Sequence, residues 1–222
     1  MAGRDVARVQ AMTVIDQKTD RERAFAPFRF SQFRAVARSR DGAAAIEFAL
    51  LAIPYFVVIF AILETFIAFA AEELVSNAVD TMSRRMRTGQ ITYNLGRTTD
   101  MSQTQFRQAF CNEISILISC STSEAATPSK LYLDVQTFAT FSAIPTTIPR
   151  VSSDRYADIN TAAFEYAPGG AGTINMLRAY YRWEIITDLV RPYITTIRPS
   201  DGSMPTQYLI IATSAFQNEQ YP

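Results

Sequence analysis

Few residues in this sequence have side chains that could carry out chemistry. The 222 residues include no histidine, which excludes Ser-His-Asp and Cys-His catalysis and any metal site built on imidazole. Two cysteines, Cys111 and Cys120, are too few to hold zinc without other ligands. Glu165 and Glu184 could act as a paired acid and base only if the fold brought their carboxylates together. Nothing in the spacing supports an enzyme, so we predict no catalytic, cofactor or metal site.

Two other carboxylates stand out because of the apolar sequence around them. Glu47 and Glu64 are the only charged residues between positions 43 and 71. As a helix, the uncharged run 48–63 would span roughly 24 Å, slightly less than a hydrocarbon core of about 30 Å. The sequence therefore predicts one transmembrane helix over residues 43–71, with both glutamates near its interfaces. We expect Glu64 to mark the outer membrane interface, with pairing to a partner helix as the alternative.

The distribution of charge predicts the orientation of this helix. Lysine plus arginine and aspartate plus glutamate both total 21, so net charge gives no reason to expect a nucleic acid as partner. Between positions 21 and 41, however, six arginines stand against only Glu22 and Asp41. Positively charged flanks remain in the cytoplasm, so residues 1–42 are predicted to be a basic cytoplasmic leader, with the rest of the chain beyond the membrane.

The chain after the membrane helix is predicted to form an α+β domain. Helical spacing of apolar residues continues through an amphipathic segment, 72–90, with Gly89 as its stop. Ser102 and Gln105 resemble a capping box for a second helix that ends near Leu117. Residues 121–130 and 142–172 are predicted loops, and three stretches have the composition of strands: 130–141, 176–187 and 207–216. Residues 91–222 would thus form a periplasmic domain. The predicted architecture is a single transmembrane helix extended into a stalk, with a small three-stranded antiparallel sheet as its head.

A location outside the cytoplasm favours a disulfide between Cys111 and Cys120. In an unbroken helix the two Cα atoms would be about 13 Å apart, which is beyond disulfide reach. We therefore expect the helix that contains Cys111 to end before Cys120 and the chain to turn back. Two buried thiols remain the alternative.

Several short motifs occur together in this sequence. They are AAAIEFALLAIP at 43–54, RTGQI at 87–91, the cysteine pair, LYLDVQTFATF at 131–141, YAPGGAGTINMLRAYYRWEIIT at 166–187 and the closing SAFQNEQYP. Together they resemble the TadE-like family, pseudopilin-like components of the tight-adherence (Tad/Flp) pilus machinery of bacteria. The resemblance extends from about Gly42 to the end of the chain.

The start of the apolar helix also resembles a type IV prepilin, which has a basic leader, a glycine and then an apolar helix with glutamate at its fifth position. By that resemblance a prepilin peptidase would cut after Gly42 and leave Ala43 as the new N-terminus. Glu47 would then occupy position five, followed by Phe48. Glu47 would pair with the Ala43 amine of a neighbouring subunit or of its own chain, which would fix the stagger of the helices during assembly.

The family resemblance implies a minor pilin or pseudopilin without enzymatic activity that takes part in assembly of a Tad/Flp-type pilus. Its partners would be other pilins and pseudopilins, the inner-membrane assembly platform, the prepilin peptidase and the lipid bilayer. It would be a single-pass protein of the bacterial inner membrane, either retained there or incorporated in or at the tip of the pilus. The alternative is a periplasmic domain with a non-pilus binding role, either released by signal peptidase at Ala68-Phe69-Ala70 or left anchored and unprocessed.

Overall fold

The computed structural model describes residues 40–198 and 203–221, so most of the predicted leader lies outside the described residues. The chain divides into two compact units, Met1–Tyr55 and Phe56–Pro222. In the first unit the described residues are the opening turns of helix α1, Arg40–Arg87. The second unit contains the rest of α1 and all the other elements.

Helix α1 ends where the sequence predicts. Gly89 has a φ of +73°, a conformation that favours glycine. The N–H of Gly89 donates to the carbonyl of Met86 at 3.1 Å, and the N–H of Gln90 donates to that of Arg85 at 2.9 Å. This pair of bonds is the Schellman arrangement, which satisfies the last carbonyls of a helix and turns the chain away from its axis.

Three antiparallel strands form one sheet in the order β1-β2-β3. The strands are β1, Leu131–Phe138, β2, Ile174–Glu184, and β3, Gln207–Gln217. Leu131 pairs with Tyr181 at one end of the sheet, and Ile174 pairs with Gln217 at the other. The predicted α+β class and the three-stranded antiparallel sheet are therefore confirmed.

One face of the sheet packs on α1 and on a second helix, α2, Gln103–Ile114. Because side chains alternate along a strand, every second residue of each strand points to this face. The core that they form combines residues of the sheet with residues of both helices: Leu133, Val135, Leu177, Ala179, Ile210, Val75, Met82, Phe106 and Phe110.

The other face of the sheet is covered by the irregular segments on either side of β2. A smaller core joins Ile159 and Ile197 of these segments to Tyr180 and Leu209 of the sheet. The ring of Phe164 stacks on that of Tyr180, with 4.8 Å between centroids. The segment predicted to be irregular, 142–172, thus forms the second layer that allows both faces of the sheet to be buried.

The connection between α2 and β1 differs in detail from its prediction. The capping box is present: the Ser102 hydroxyl accepts from the Gln105 N–H, and the Gln105 side chain accepts from the Ser102 N–H. Helix α2 nevertheless ends at Ile114, three residues before Leu117, because the hydroxyl and N–H of Ser115 both turn back to the carbonyl of Asn112.

Two short helices were not predicted from the sequence. Helix α3, Thr122–Ala126, lies in the predicted loop 121–130, and its first turn is capped by the hydroxyl of Ser121. Strand β2 stops at Glu184, earlier than predicted, and helix α4, Arg191–Ile194, follows it.

Candidate processing and assembly site

The residues predicted to act in processing and assembly lie in the first turns of α1. Gly42 is buried, whereas the side chains of Ala43, Glu47 and Phe48 are exposed. Ala43 and Glu47 are four residues apart, so they lie on the same face of the helix, one turn from each other. The helix therefore places the carboxylate of Glu47 next to the position at which cleavage after Gly42 would create an amine.

The part of α1 that follows is apolar and exposed. It is the one helix among the described residues that is long and apolar enough to cross a membrane by length and composition. Phe48 is 72% exposed, and the same pattern continues along the helix through large side chains on every face: Leu50, Leu51, Ile53, Phe56, Val58, Phe60, Ile62 and Phe66. A helix that is apolar all around needs a non-aqueous surrounding. This segment fits a single-pass membrane anchor.

Glu64 has a role that the sequence does not indicate. One oxygen of its carboxylate accepts a hydrogen bond from the N–H of Ile186 at 2.5 Å, and the other accepts from the N–H of Thr187 at 2.9 Å. Within this chain the carboxylate joins α1 to the chain that leaves β2. Its position at the outer membrane interface, or beside a partner helix, stays a prediction.

Two turns further along α1, a second carboxylate contacts the sheet. The Tyr208 hydroxyl donates to Oε2 of Glu72 at 2.8 Å. Burial of the phenol, together with the hydrogen bond to Glu72 and its negative charge, raises the pKa of Tyr208 to about 12. The sheet is thus tied to α1 by Glu64 and Glu72 as well as by apolar packing.

The structure joins Cys111 to Cys120 by a disulfide, with the Cα atoms 5.5 Å apart. Cys111 lies on the buried face of α2, and the turn after Ile114 brings Cys120 back to it. Ile118, which lies inside the closed loop, is also buried in the main core. The bridge therefore fixes a turn that contributes to the packing of the domain.

A buried arginine supports the same region. Arg107 of α2 donates to the backbone carbonyls of Ala125, Glu124 and Leu131 at 2.9, 2.8 and 2.7 Å. Burial lowers the pKa of Arg107, while the nearby charge of Glu124 opposes this change. Sequence reasoning missed this residue, because arginine in a helix is normally an exposed residue and its acceptors here are main-chain groups.

The carboxylate of Glu124 organises the start of β1. It accepts hydrogen bonds from the N–H groups of Ser129, Lys130 and Leu131 at 2.8 to 2.9 Å. Partial burial favours the neutral acid, but these donors and the Ser129 hydroxyl outweigh it and lower the pKa of Glu124.

The closing motif and the glycine-rich motif meet in space. The Asn218 side-chain amide donates to the carbonyls of Gly169 and Gly170 at 2.8 and 2.9 Å. The ring of Tyr221 packs on Gly89, where an added Cβ would lie 2.7 Å from the ring. Motifs far apart in sequence therefore close the end of the domain around the end of α1.

The carboxylates considered for acid–base chemistry do not meet. Glu184 forms an ion pair with Lys130, directly before β1, whereas the carbonyl of Glu165 accepts from the N–H of Val135. These two points are about 16 Å apart along the strand. Among residues 40–198 and 203–221, no group of three histidine, cysteine or acidic residues could hold a metal ion.

One comparison with known proteins finds a match, and it covers nearly the whole of α1. Residues 42–84 match the family model described as TadE-like protein. No curated protein and no solved structure matches the chain. The TadE-like family is a pilus-associated structural family rather than an enzymatic one. The matched segment, which contains Gly42, Glu47 and Glu64, is thus similar to the TadE-like family, and this similarity supports an association with the Tad pilus.

Proposed function

We propose that this protein is a minor pilin or pseudopilin that takes part in assembly of a Tad/Flp-type pilus after a prepilin peptidase cuts between Gly42 and Ala43. The observation that carries the proposal is the combination of an exposed apolar helix with Glu47 one turn after Ala43. A helix intended only as an anchor has no need of a carboxylate at that position.

The charge of Glu47 gives the helix a preferred partner. A carboxylate in a transmembrane helix costs about 2.5–3.5 kcal/mol at mid-membrane on insertion scales, and less near an interface. Cleavage would create an ammonium group at Ala43 that offsets this cost through pairing. Pairing with the amine of a neighbouring subunit would set the stagger between two helices, while the large apolar side chains around Glu47 pack against each other or against lipid.

The chain is proposed to act from the bacterial inner membrane, with its N-terminus in the cytoplasm and residues 91–222 in the periplasm. The six arginines before Gly42 support this orientation. Its partners are other pilins and pseudopilins, the assembly platform, the prepilin peptidase and the bilayer.

Cleavage by signal peptidase after Ala70 is a less suitable processing route. Ala71, which would become the new N-terminus, lies in the main core with residues of the sheet. A cut there would remove Glu64, and with it the acceptor for the N–H groups of Ile186 and Thr187. Release at this site would therefore damage the domain that it would liberate.

The experiment that tests the proposal replaces Glu47 by alanine in the native host. The variant should insert and be processed, because a charge has been removed from the apolar segment, but it should no longer co-purify with other pilins. Glu47→Asp, with a carboxylate that reaches less far, should be intermediate. Glu73→Ala is the matched control, because it removes an equal charge from an exposed position of the same helix. Normal co-purification of the Glu47→Ala variant would refute the pairing.

A further inference from the structure

Segment 185–194, which connects β2 to the end of α4, exposes three large apolar side chains. Ile186 is 83% exposed, Leu189 is 54% exposed and Tyr193 is 85% exposed. The segment is nevertheless fixed, because its first residue, Ile185, and the residue that follows it, Thr195, are both buried. Such a group of apolar side chains on an anchored segment marks an interaction surface.

The segment lies at the level where α1 is still apolar. Glu64 accepts two of its backbone N–H groups. A pocket of about 230 Å³ separates the segment from the next turns of α1, and its lining is mainly apolar: Thr65, Ala68, Phe69, Tyr193, Ile194 and Tyr208. On the helix itself Phe66 and Phe69 remain exposed at this level. The apolar surface of the membrane helix therefore continues onto the segment.

The backbone of the segment is suited to an environment with little water. Seven of its nine N–H groups, all except those of Asp188 and Leu189, donate to acceptors within the protein, and the first, that of Ile185, donates to the carbonyl of Thr206. Those of residues 186 and 187 donate to Glu64, those of 190 and 191 to the carbonyl of Thr187, and those of 193 and 194 to the carbonyl of Val190. Chain that contacts hydrocarbon must satisfy its polar groups in this way, because lipid offers no replacement for water.

The charges of the segment also compensate each other. Asp188 and Arg191 form an ion pair at 2.8 Å, so the two groups add no net charge to the surface. Tyr193 combines an apolar ring with a hydroxyl, the type of side chain that collects at membrane interfaces. Arg191 also reaches the carbonyls of Ile185 and Ile186 at 3.4 and 3.5 Å.

We propose that segment 185–194 is a second membrane contact, which inserts Ile186, Leu189 and Tyr193 into the outer interface of the bilayer that α1 crosses, and that Glu64 fixes its depth. The occupant of this surface is lipid, because the surface is continuous with the exposed apolar side chains of the membrane helix. The pocket beside Phe69 would admit apolar chain atoms. This inference requires that α1 crosses a bilayer, but it does not depend on cleavage at Gly42 or on assembly of a pilus.

The test uses the full chain in nanodiscs of phosphatidylcholine and phosphatidylglycerol. Ile186→Cys is labelled with an environment-sensitive fluorophore, and the Cys111–Cys120 bridge leaves no competing thiol in the described chain. Phosphatidylcholine with a nitroxide at a shallow acyl position serves as the quencher. We expect it to remove most of the emission. The control is Leu95→Cys, at an exposed position beside Gly170. Leu95 follows the end of α1, and about 35 Å of helix separates that end from Glu64. Its emission should not change.

A second substitution tests the part that Glu64 plays. Glu64→Ala should reduce quenching of the Ile186 label towards that of the Leu95 label, whereas Glu73→Ala should not change it. Equal quenching at Ile186 and Leu95 in the otherwise unaltered chain would overturn the proposal. So would protection of the Ile186 label from water only after other pilins are added, since this result would assign the surface to a protein partner. Full quenching in the Glu64→Ala variant would refute the role of the carboxylate in fixing depth.

Discussion

Reduction of the Cys111–Cys120 bridge should lower the free energy of unfolding of the domain after α1. The size of this loss follows from the length of the loop that the bridge closes. The bridge closes a loop with a sequence separation of 9, and the Cα distance of 5.5 Å is within the normal range for a disulfide. Cys111 and Ile118 belong to the main core. Opening the loop therefore gives the unfolded chain more freedom, and it also releases a turn that the folded core requires.

The chain-entropy model assigns about 2.6 kcal/mol to closure of a loop of this length. With a urea dependence of about 2 kcal/mol per molar for a domain of this size, reduction should lower the unfolding midpoint by about 1.3 M. Trp183 is the one tryptophan of the chain and packs against the main core, so its fluorescence reports unfolding.

The assay compares urea unfolding of the full chain in detergent with and without reductant. A variant with both cysteines replaced by alanine is the control, and its midpoint should be the same in the two conditions. Protein taken from the envelope should react with alkylating reagent at Cys111 and Cys120 only after reduction. Two thiols that react in the native protein would contradict the bridge, and a midpoint that reductant does not change would show that the bridge does not stabilise the domain.

Three other experiments test contacts of the domain. Arg107→Met should lower the free energy of unfolding by about 3 kcal/mol in urea titrations, because it leaves three main-chain carbonyls without their donor. The pKa of the Tyr208 phenol is raised to about 12 in the folded chain, against about 10 in the unfolded chain. Its contribution to the free energy of unfolding is therefore complete below about pH 10 and is lost as the pH rises through 12. Between these pH values, the free energy of unfolding of Tyr208→Phe should fall by about 1 kcal/mol less than that of the unaltered protein, after allowance for partial exposure. Gly89→Ala should cost more than Gly96→Ala in thermal unfolding. Both residues have a φ of +73°, but only at Gly89 would the added methyl meet Tyr221.

Features encoded by neighbouring residues could be predicted from the sequence. Ser102 and Gln105 form a capping box from side chains three positions apart, and Gly89 stops a helix because it tolerates a positive φ. The three strands have alternating apolar residues and β-branched or aromatic side chains, which specify a sheet without reference to the rest of the chain. The resemblance to the TadE-like family likewise rests on short contiguous motifs, of which AAAIEFALLAIP and part of the next helical turns lie within the matched residues 42–84.

Features that depend on distant main-chain groups could not be predicted. Glu64 accepts from N–H groups 122 and 123 residues away, and these donors have no side-chain signature. Arg107 is buried because three carbonyls, 17 to 24 residues away, converge on it. The pairing of Asn218 with the glycine-rich motif likewise depends on the register of β2 and β3. Each of these contacts forms only after the sheet has been assembled on α1.

The mass and N-terminal residue of the protein isolated from native envelopes decide whether this chain is processed as a pilin-like subunit. We expect a mature chain that begins at Ala43, one turn before Glu47. An unprocessed chain that begins at Met1, or a mature form that begins at Ala71, would contradict it.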